Sequence, residues 1–264
     1  MKLTVIGCTG SMSGPEGPAS SYLVQGTAPG ADGTPATTSV LLDLGPGAMG
    51  RLLAHLDPAH LDLIALSHLH ADHMVDMIGM HVYRRWYPGG ELPVVPVLAP
   101  AGGVARLRGA GGDGDDENFD EFAFTDLADG FRHEVGCLTL DFFAVEHPVE
   151  AYAVRVTGPA EADPGRRVSL AYTGDTDACD GVVEAARGVD LLLSEAAFQE
   201  GRDAVRGIHL TGLRAGEAAR DAGAARLVLT HLQPWNDAAV TAAEAASAYA
   251  GPVELARRDA VWVL

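Results

Sequence analysis

The chain has little clustered positive charge. Its 18 Lys and Arg face 36 Asp and Glu, giving a net charge of −18, and no basic run exceeds a pair (Arg84–Arg85, Arg166–Arg167, Arg257–Arg258). Phosphate contacts from basic clusters supply most of the affinity of nucleic-acid binders, so no long nucleic acid is expected as a partner. A small anionic ligand stays open, because a metal site can overcome the global field locally. Cysteine is equally scarce. Cys8, Cys137 and Cys179 are odd in number, far apart and without a Cys-x-x-Cys pair. That argues against a disulfide framework and a zinc–thiolate site, and for reduced thiols in the cytoplasm. No apolar run reaches the ~18 residues of a membrane span. The opening "MKLTVIG" loses its apolar run at Gly7. It reads as a first strand rather than a secretory leader, whose apolar core runs to ~7–15 residues.

What is present is core-forming sequence. Hydrophobic residues make up 47% of the 264, and neither a linker nor an internal repeat divides them. One domain over 1–264 is expected. "KLTVIG" (2–7) is a strand signal and "GCTGSMSGPEGPASS" (7–21) a Gly/Ser/Pro loop; "SYLVQG" and "TSVLLDLG" pair as a hairpin. Helical spacing marks 48–56, 74–87, 211–223 and "AAVTAAEAASAYA". Strand signals recur at 61–67 and in "LPVVPVLAP", "GCLTLDFFAVEHP", "AYAVRVTG", "RRVSLAYTGD", "LLLSEAAF", "ARLVLTH" and the closing "VELARRDAVWVL". Residues 109–121, "GAGGDGDDENFDE", read as a mobile acidic loop.

The stretch "SHLHADH" (67–73) places His68, His70, Asp72 and His73 where an apolar strand ends. Buried without partners, such groups each cost several kcal/mol. In an extended segment His68, His70 and Asp72 project to one side and His73 to the other. A lone histidine here would be a hydrogen-bonded core residue. Four such groups together point to metal, and imidazole with carboxylate suits Zn, Mn or Fe. Three further candidates repeat the grammar of apolar run followed by ligand: His147 in "AVEHP", Asp175 in "AYTGDTD" and His231 in "LVLTHLQP". Alone, each would read as a surface-loop residue. Seven ligands exceed the about four of one tetrahedral zinc. They suit two cations about 3.5–4 Å apart.

The pattern His-x-His-x-Asp-His, followed by distant His, Asp and His, resembles the metallo-β-lactamase superfamily over most of the chain. The resemblance implies an α/β (α+β) four-layer αβ/βα sandwich, with two mixed β-sheets and helices on the outer faces. It implies His68, His70 and His147 on a first metal, Asp72, His73 and His231 on a second, and Asp175 between them. The two divalent ions would be zinc, with manganese or iron as alternatives. An Asp rather than a Cys at 175 favours the phosphodiesterase side of the superfamily. Asp43, in "LLDLGPGA", would orient metal-binding residues from behind. "LLLSEAAF" and "IHLTGLRAGEAA" resemble the ribonuclease Z branch, where Glu195 and His209 match and Ser194 and Ala197 depart. That branch implies a His209, oriented by Glu195, beside the leaving group. The plainer reading makes His209 a helix-entry residue before a Thr211 cap, and Glu195 a strand-end carboxylate.

Ribonuclease Z holds tRNA with a long arm inserted between the third ligand and the bridging Asp. Only 27 residues separate His147 from Asp175 here, which with the acidic charge and Ser194 counts against tRNA. "GCTGSMSGPEGPASS", "SHLHADH", Arg84-Arg85-Trp86-Tyr87-Pro88, "TGDT" and "LTHLQPW" resemble small cytoplasmic cyclic-nucleotide phosphodiesterases of this branch. The resemblance implies a metal-dependent hydrolase of a small phosphodiester such as 3′,5′-cyclic AMP. A hydroxide between the metals would attack, and His209 or Asp72 would assist the departing oxygen. The branch also implies a homodimer, and the lack of a long apolar run argues against a membrane partner. Two features stay open: whether the 7–21 loop lines the pocket with N–H groups or is a tight turn, and whether Arg84 and Arg85 contact phosphate or form a solvated face. The rival functions are a ribonuclease Z-like RNA 3′-end nuclease, a thioester or lactone hydrolase, and a non-catalytic metal clamp.

Overall fold

The computed structural model describes all of residues 1–264 except 31, 113, 115 and 116. The N-terminal half supplies β1 (Lys2–Gly7), β2 (Ser21–Pro29), β3 (Pro35–Leu42), β4 (Leu63–Ala65), β5 (Val95–Ala99) and β6 (Phe122–Asp126). Between them lie helices α1 (Ala48–Leu52), α2 (Ala71–Met74), α3 (Met77–Arg85) and α4 (Gly103–Gly111). The C-terminal half supplies β7 (Arg132–Val135), β8 (Leu138–Ala144), β9 (Tyr152–Pro159), β10 (Arg167–Tyr172), β11 (Leu191–Glu195), β12 (Leu227–Thr230), β13 (Val253–Leu255) and β14 (Val261–Val263). Its helices are α5 (Asp180–Ala186), α6 (Gly212–Ala222) and α7 (Ala238–Ala248).

The strands form two seven-stranded mixed sheets, in the orders β14-β1-β2-β3-β4-β5-β6 and β13-β12-β11-β10-β9-β8-β7. Each sheet is antiparallel over half its width and parallel over the other half. The expected hairpins appear as β2–β3 and β9–β10. The closing segment divides: β13 extends one sheet, and β14 crosses to pair with β1 in the other.

Side-chain alternation produces the layers. Val40 and Leu42 of β3, with Leu191 and Leu193 of β11, fill the core between the sheets. Leu41 turns outward against Leu52, Met77, Met80 and Leu107 of the first helical layer. Leu192 turns outward against Ala215, Ala219 and Ala245 of the second. Full burial of each such leucine contributes roughly 1.5–3 kcal/mol. The four-layer αβ/βα sandwich follows from these three apolar clusters.

Several local expectations change. The helix expected over 48–56 is confined to α1, and the strand expected over 61–67 to β4. The helical signal at 74–87 becomes two helices, α2 and α3. Ala71–Met74 is helical rather than extended, because His70 holds β-region backbone (ψ 149°) and the chain turns helical immediately after it. Strands β6 and β7 and helices α4 and α5 carry weak periodicity. Of the loop expected over 109–121, residues 113, 115 and 116 lie outside the described residues. The described part is tied down: α4 runs to Gly111, Phe119 is fully buried, and Glu117 pairs with Arg85.

Candidate metal centre

The strand-end residues converge at one rim of the sandwich. His68 and His70 follow β4, Asp72 and His73 sit on α2, His147 follows β8, Asp175 follows β10 and His231 follows β12. Three donor groups result among the described residues, His68/His70/His147, Asp72/His73/Asp175/His231 and Asp175/Glu195/His209; within each, the donor atoms all lie within 4.8 Å of one another. The Nδ1 of His70 is 3.1 Å from both His68 Nε2 and His147 Nε2. His73 Nε2 is 3.1 Å from Asp175 Oδ1, and His231 Nε2 is 3.3 Å from Asp175 Oδ2. Asp72 Oδ2 lies 3.4 Å from His73 Nε2 and 3.8 Å from His231 Nε2. Asp175 also reaches within 3.8 Å of His68 Nε2.

Two observations fit this donor set to cations. Tetrahedral ligands about 2.05 Å from a zinc lie about 3.3 Å apart, close to these separations. Among the described residues, only four buried side-chain polar atoms lack a hydrogen-bond partner, and two of them are His73 Nε2 and Asp175 Oδ1. They face each other at 3.1 Å without a well-directed partner, an arrangement that a cation serving both atoms would satisfy.

The remote ring nitrogens set the tautomers. His73 Nδ1 is 2.7 Å from Asp43 Oδ2, and His147 Nδ1 is 2.9 Å from the Ile208 carbonyl. Both partners accept only, so both Nδ1 atoms carry a proton and both Nε2 atoms face the cluster. Ser67 Oγ donates to Asp43 Oδ2 at 2.8 Å and therefore accepts from His68 Nδ1 at 3.0 Å. His231 Nδ1 meets Ser20 Oγ at 2.8 Å, while its Nε2 accepts the Ser11 N–H at 3.2 Å.

Asp43 is the hub behind this arrangement. Fully buried, with a positive φ of 57°, it accepts from Ser67 N, Ser67 Oγ, His73 Nδ1 and Tyr172 OH, all within 2.8 Å. Such backbone strain persists only where the surroundings fix it. Ser67, Tyr172, Ser20 and the Ile208 carbonyl were missed from the sequence. The first two lie within the "SHLHADH" and "AYTGD" motifs, whereas a backbone carbonyl leaves no sequence signal.

Burial, then the neighbouring His73 charge, holds His68 well below the usual histidine range, against the pull of Asp175. Burial also lowers His70, His147 and His231, leaving neutral imidazoles suited to ligation. His73 moves the other way. Burial opposes its charge, but Asp175 and Asp43 outweigh burial and raise it well above the ordinary value. Asp72 is lowered: burial opposes, and His73 and His231 prevail. These buried carboxylates thus demand positive charge at the centre.

Glu195 and His209 form a dyad on the rim. His209 Nδ1 lies 2.9 Å from Glu195 Oε1, and the Glu195 carboxylate also accepts the N–H groups of Thr176, Leu210 and Ala197. Burial lowers His209, but Glu195 and then Asp175 raise it to about 9. Thr211 does cap α6, accepting from the Arg214 N–H, so His209 is both a helix-entry residue and part of the cluster.

The remaining expectations resolve differently. The 7–21 loop does reach the centre, through Ser11. Gly10 packs so tightly that a Cβ there would lie 2.1 Å from the His231 carbonyl oxygen. Arg84 and Arg85 do not contact the site. Arg84 is buried and donates to the Pro58 and Pro93 carbonyls, and Arg85 spans Glu117 and Glu121. The phosphate role is thereby corrected, and so is the solvated face for Arg84. Both guanidiniums are committed to the α3 neighbourhood.

A two-sheet sandwich with this His/Asp centre at its rim defines a metal-dependent hydrolase. The chain belongs to the metallo-β-lactamase superfamily: residues 38–232 match the Beta-lactamase superfamily domain. It is 38% identical to the Mycobacterium tuberculosis protein Rv1339 over 96% of this chain and 88% of that one. The probable metallo-hydrolase YhfI of Bacillus subtilis is 28% identical over 99% of each. Its crystal structure superposes with a TM-score of 0.81, covering 99% of this chain and 98% of that chain at 25% identity. A ribonuclease Z of Pyrobaculum calidifontis is 36% identical over 73% of this chain and 76% of its own. Among the described residues, no helix is long and apolar enough to cross a membrane.

Proposed function

We propose that the protein is a phosphodiesterase loaded with two divalent cations, zinc foremost, that hydrolyses a small 3′,5′-cyclic nucleotide such as cAMP. The single observation that carries this reading is a pair of neighbouring donor groups, with Asp175 of one 3.8 Å from His68 of the other and two buried ligand atoms left unpartnered. His68, His70 and His147 would hold one cation, Asp72, His73 and His231 the other, with Asp175 shared. Cations bound there supply charge neutralisation at phosphorus and a nucleophile at neutral pH.

The chain's own residues do the rest. Asp43 locks the His73 ring, Ser67 the His68 ring and the Ile208 carbonyl the His147 ring, so little reorganisation accompanies reaction. Asp72 is held ionised and cannot donate a proton near neutrality, whereas His209, raised to about 9, is protonated there. The proton for the departing oxygen is therefore assigned to His209, and Glu195 fixes that ring's orientation. A small substrate is supported by the 27 residues between His147 and Asp175. Strands β9 and β10 take up most of them and leave little for a nucleic-acid arm. The net charge of −18 acts in the same direction.

Hydrolysis of cAMP and of a chromogenic phosphate bis-ester, with and without chelator, tests the reading. Chelator-sensitive turnover of both is expected. Activity on RNA 3′ ends but not on cAMP would favour the ribonuclease Z reading, which the 36%-identical relative supports. Turnover that ignores chelator would overturn the proposal.

A further inference from the structure

Beside the centre lies a buried ion pair that the mechanism above does not use. Asp177 is 1% exposed and Arg214, on the first turn of α6, is 5% exposed. Asp177 Oδ1 accepts from Arg214 Nη1 and from the Ala178 N–H. Its Oδ2 accepts from Arg206 Nε at 2.8 Å and from the Gly207 N–H at 2.7 Å. Arg214 is braced in turn by Thr211 Oγ1 and lies 3.5 Å from Glu200. The backbone N–H of Asp177 donates to the Glu146 carbonyl at 2.8 Å, one residue before His147.

The segment this carboxylate holds, 206–209, does two things. Its Ile208 carbonyl is the acceptor that fixes His147 Nδ1, and its next residue is His209. We infer that Asp177 and Arg214 are positioning residues that strap the 206–209 segment, and that the strap sets both the His147 ligand and the His209 proton donor. His73 and His68 are oriented by the Asp43 side-chain network instead. The strap therefore acts on the three-histidine site through His147, while the side chains that orient His73 and His231 lie outside it. This inference rests on the two-cation reading of the centre.

The test measures zinc binding by calorimetry and equilibrium dialysis on the intact chain. Asp177→Asn turns one of the two accepting oxygens into an NH2 that accepts nothing, so either the Arg206/Gly207 side or the Arg214/Ala178 side of the strap loses its acceptor. The wild type is expected to take up two ions. The variant is expected to bind one of them 10–100-fold more weakly, the range for groups that orient ligands, and the other unchanged. His147→Ala should lose the same binding event, and adding Asp177→Asn to it should leave the surviving site unaltered. Gly207→Ala provides a second route if the buried variant folds poorly. Gly207 has a φ of +76°, where a side chain is strained, yet a Cβ there would meet nothing closer than Glu146 Oε1 at 3.4 Å. It should produce the same selective weakening. Both sites at wild-type affinity in both variants, or both sites weakened equally, would overturn the strap. A wild type that takes up fewer than two ions would instead overturn the two-cation reading beneath it.

Discussion

The two donor groups proposed to share Asp175 are held in different ways. His73 and His231 are fully buried, and their remote nitrogens meet side chains, Asp43 and Ser20. His70 and His147 are only partly buried, and His147 is held by a backbone carbonyl on a loop. Both groups touch the Asp43 network, through His73 in one and through Ser67 and His68 in the other, but only the three-histidine group also depends on a rim segment that must itself be pinned. A side-chain anchor such as Asp43 is fixed by packing, while a carbonyl anchor is only as rigid as its loop. The buried group should therefore be the tighter and slower-exchanging site.

The largest expected effect strikes what the two groups share. Asp175→Ala should lower turnover by about 10³-fold, equivalent to several kcal/mol of cation-derived stabilisation, and should weaken uptake at both sites. Steady-state kinetics with metal analysis check this, and retained uptake at both sites would erase the common carboxylate from the account. Next comes Glu195→Gln, which acts on the rim alone. The wild-type rate should fall as pH rises through about 9, where His209 loses its proton. Without the carboxylate that limb should move toward the ordinary histidine value of about 6.5, and turnover at neutral pH should drop by roughly 10²-fold. An unmoved alkaline limb would remove His209 from the reaction. Asp43→Asn should weaken the buried site by 10–100-fold while sparing the three-histidine site more, the mirror image of the strap variants. Zinc calorimetry reads it, and equal losses at both sites would dissolve the contrast. Smallest is Arg85→Ala, remote from both groups. Its ion pairs are partly exposed and contribute at most about 1 kcal/mol, so turnover should be unchanged and the melting temperature only slightly lower.

Much of the candidate centre was legible because its proposed ligands lie in sequence clusters at strand ends. "SHLHADH" carries four of them, and His147, Asp175 and His231 each close an apolar run. The sheets were legible where hairpins alternate cleanly, as in β2–β3 and β9–β10. The switch from strand to helix at Ala71 was not, because "HADHM" is too short for periodicity to separate the two states. The departure of β14 from β13 escaped for a different reason: pairing partners are set by tertiary packing, and both strands are only three residues long. Arg84 looked like surface charge because the two carbonyls that bury it, at Pro58 and Pro93, are distant backbone atoms. The Ile208 carbonyl was hidden in the same way, and it is the feature that separates the rim from the core.

Anomalous scattering from crystals, recorded on either side of the zinc edge, tests the central claim most directly. Two peaks about 3.5–4 Å apart are expected, one among His68, His70 and His147 and one among Asp72, His73 and His231, with Asp175 touching both. A single peak, or none at this rim in zinc-loaded crystals, would contradict it.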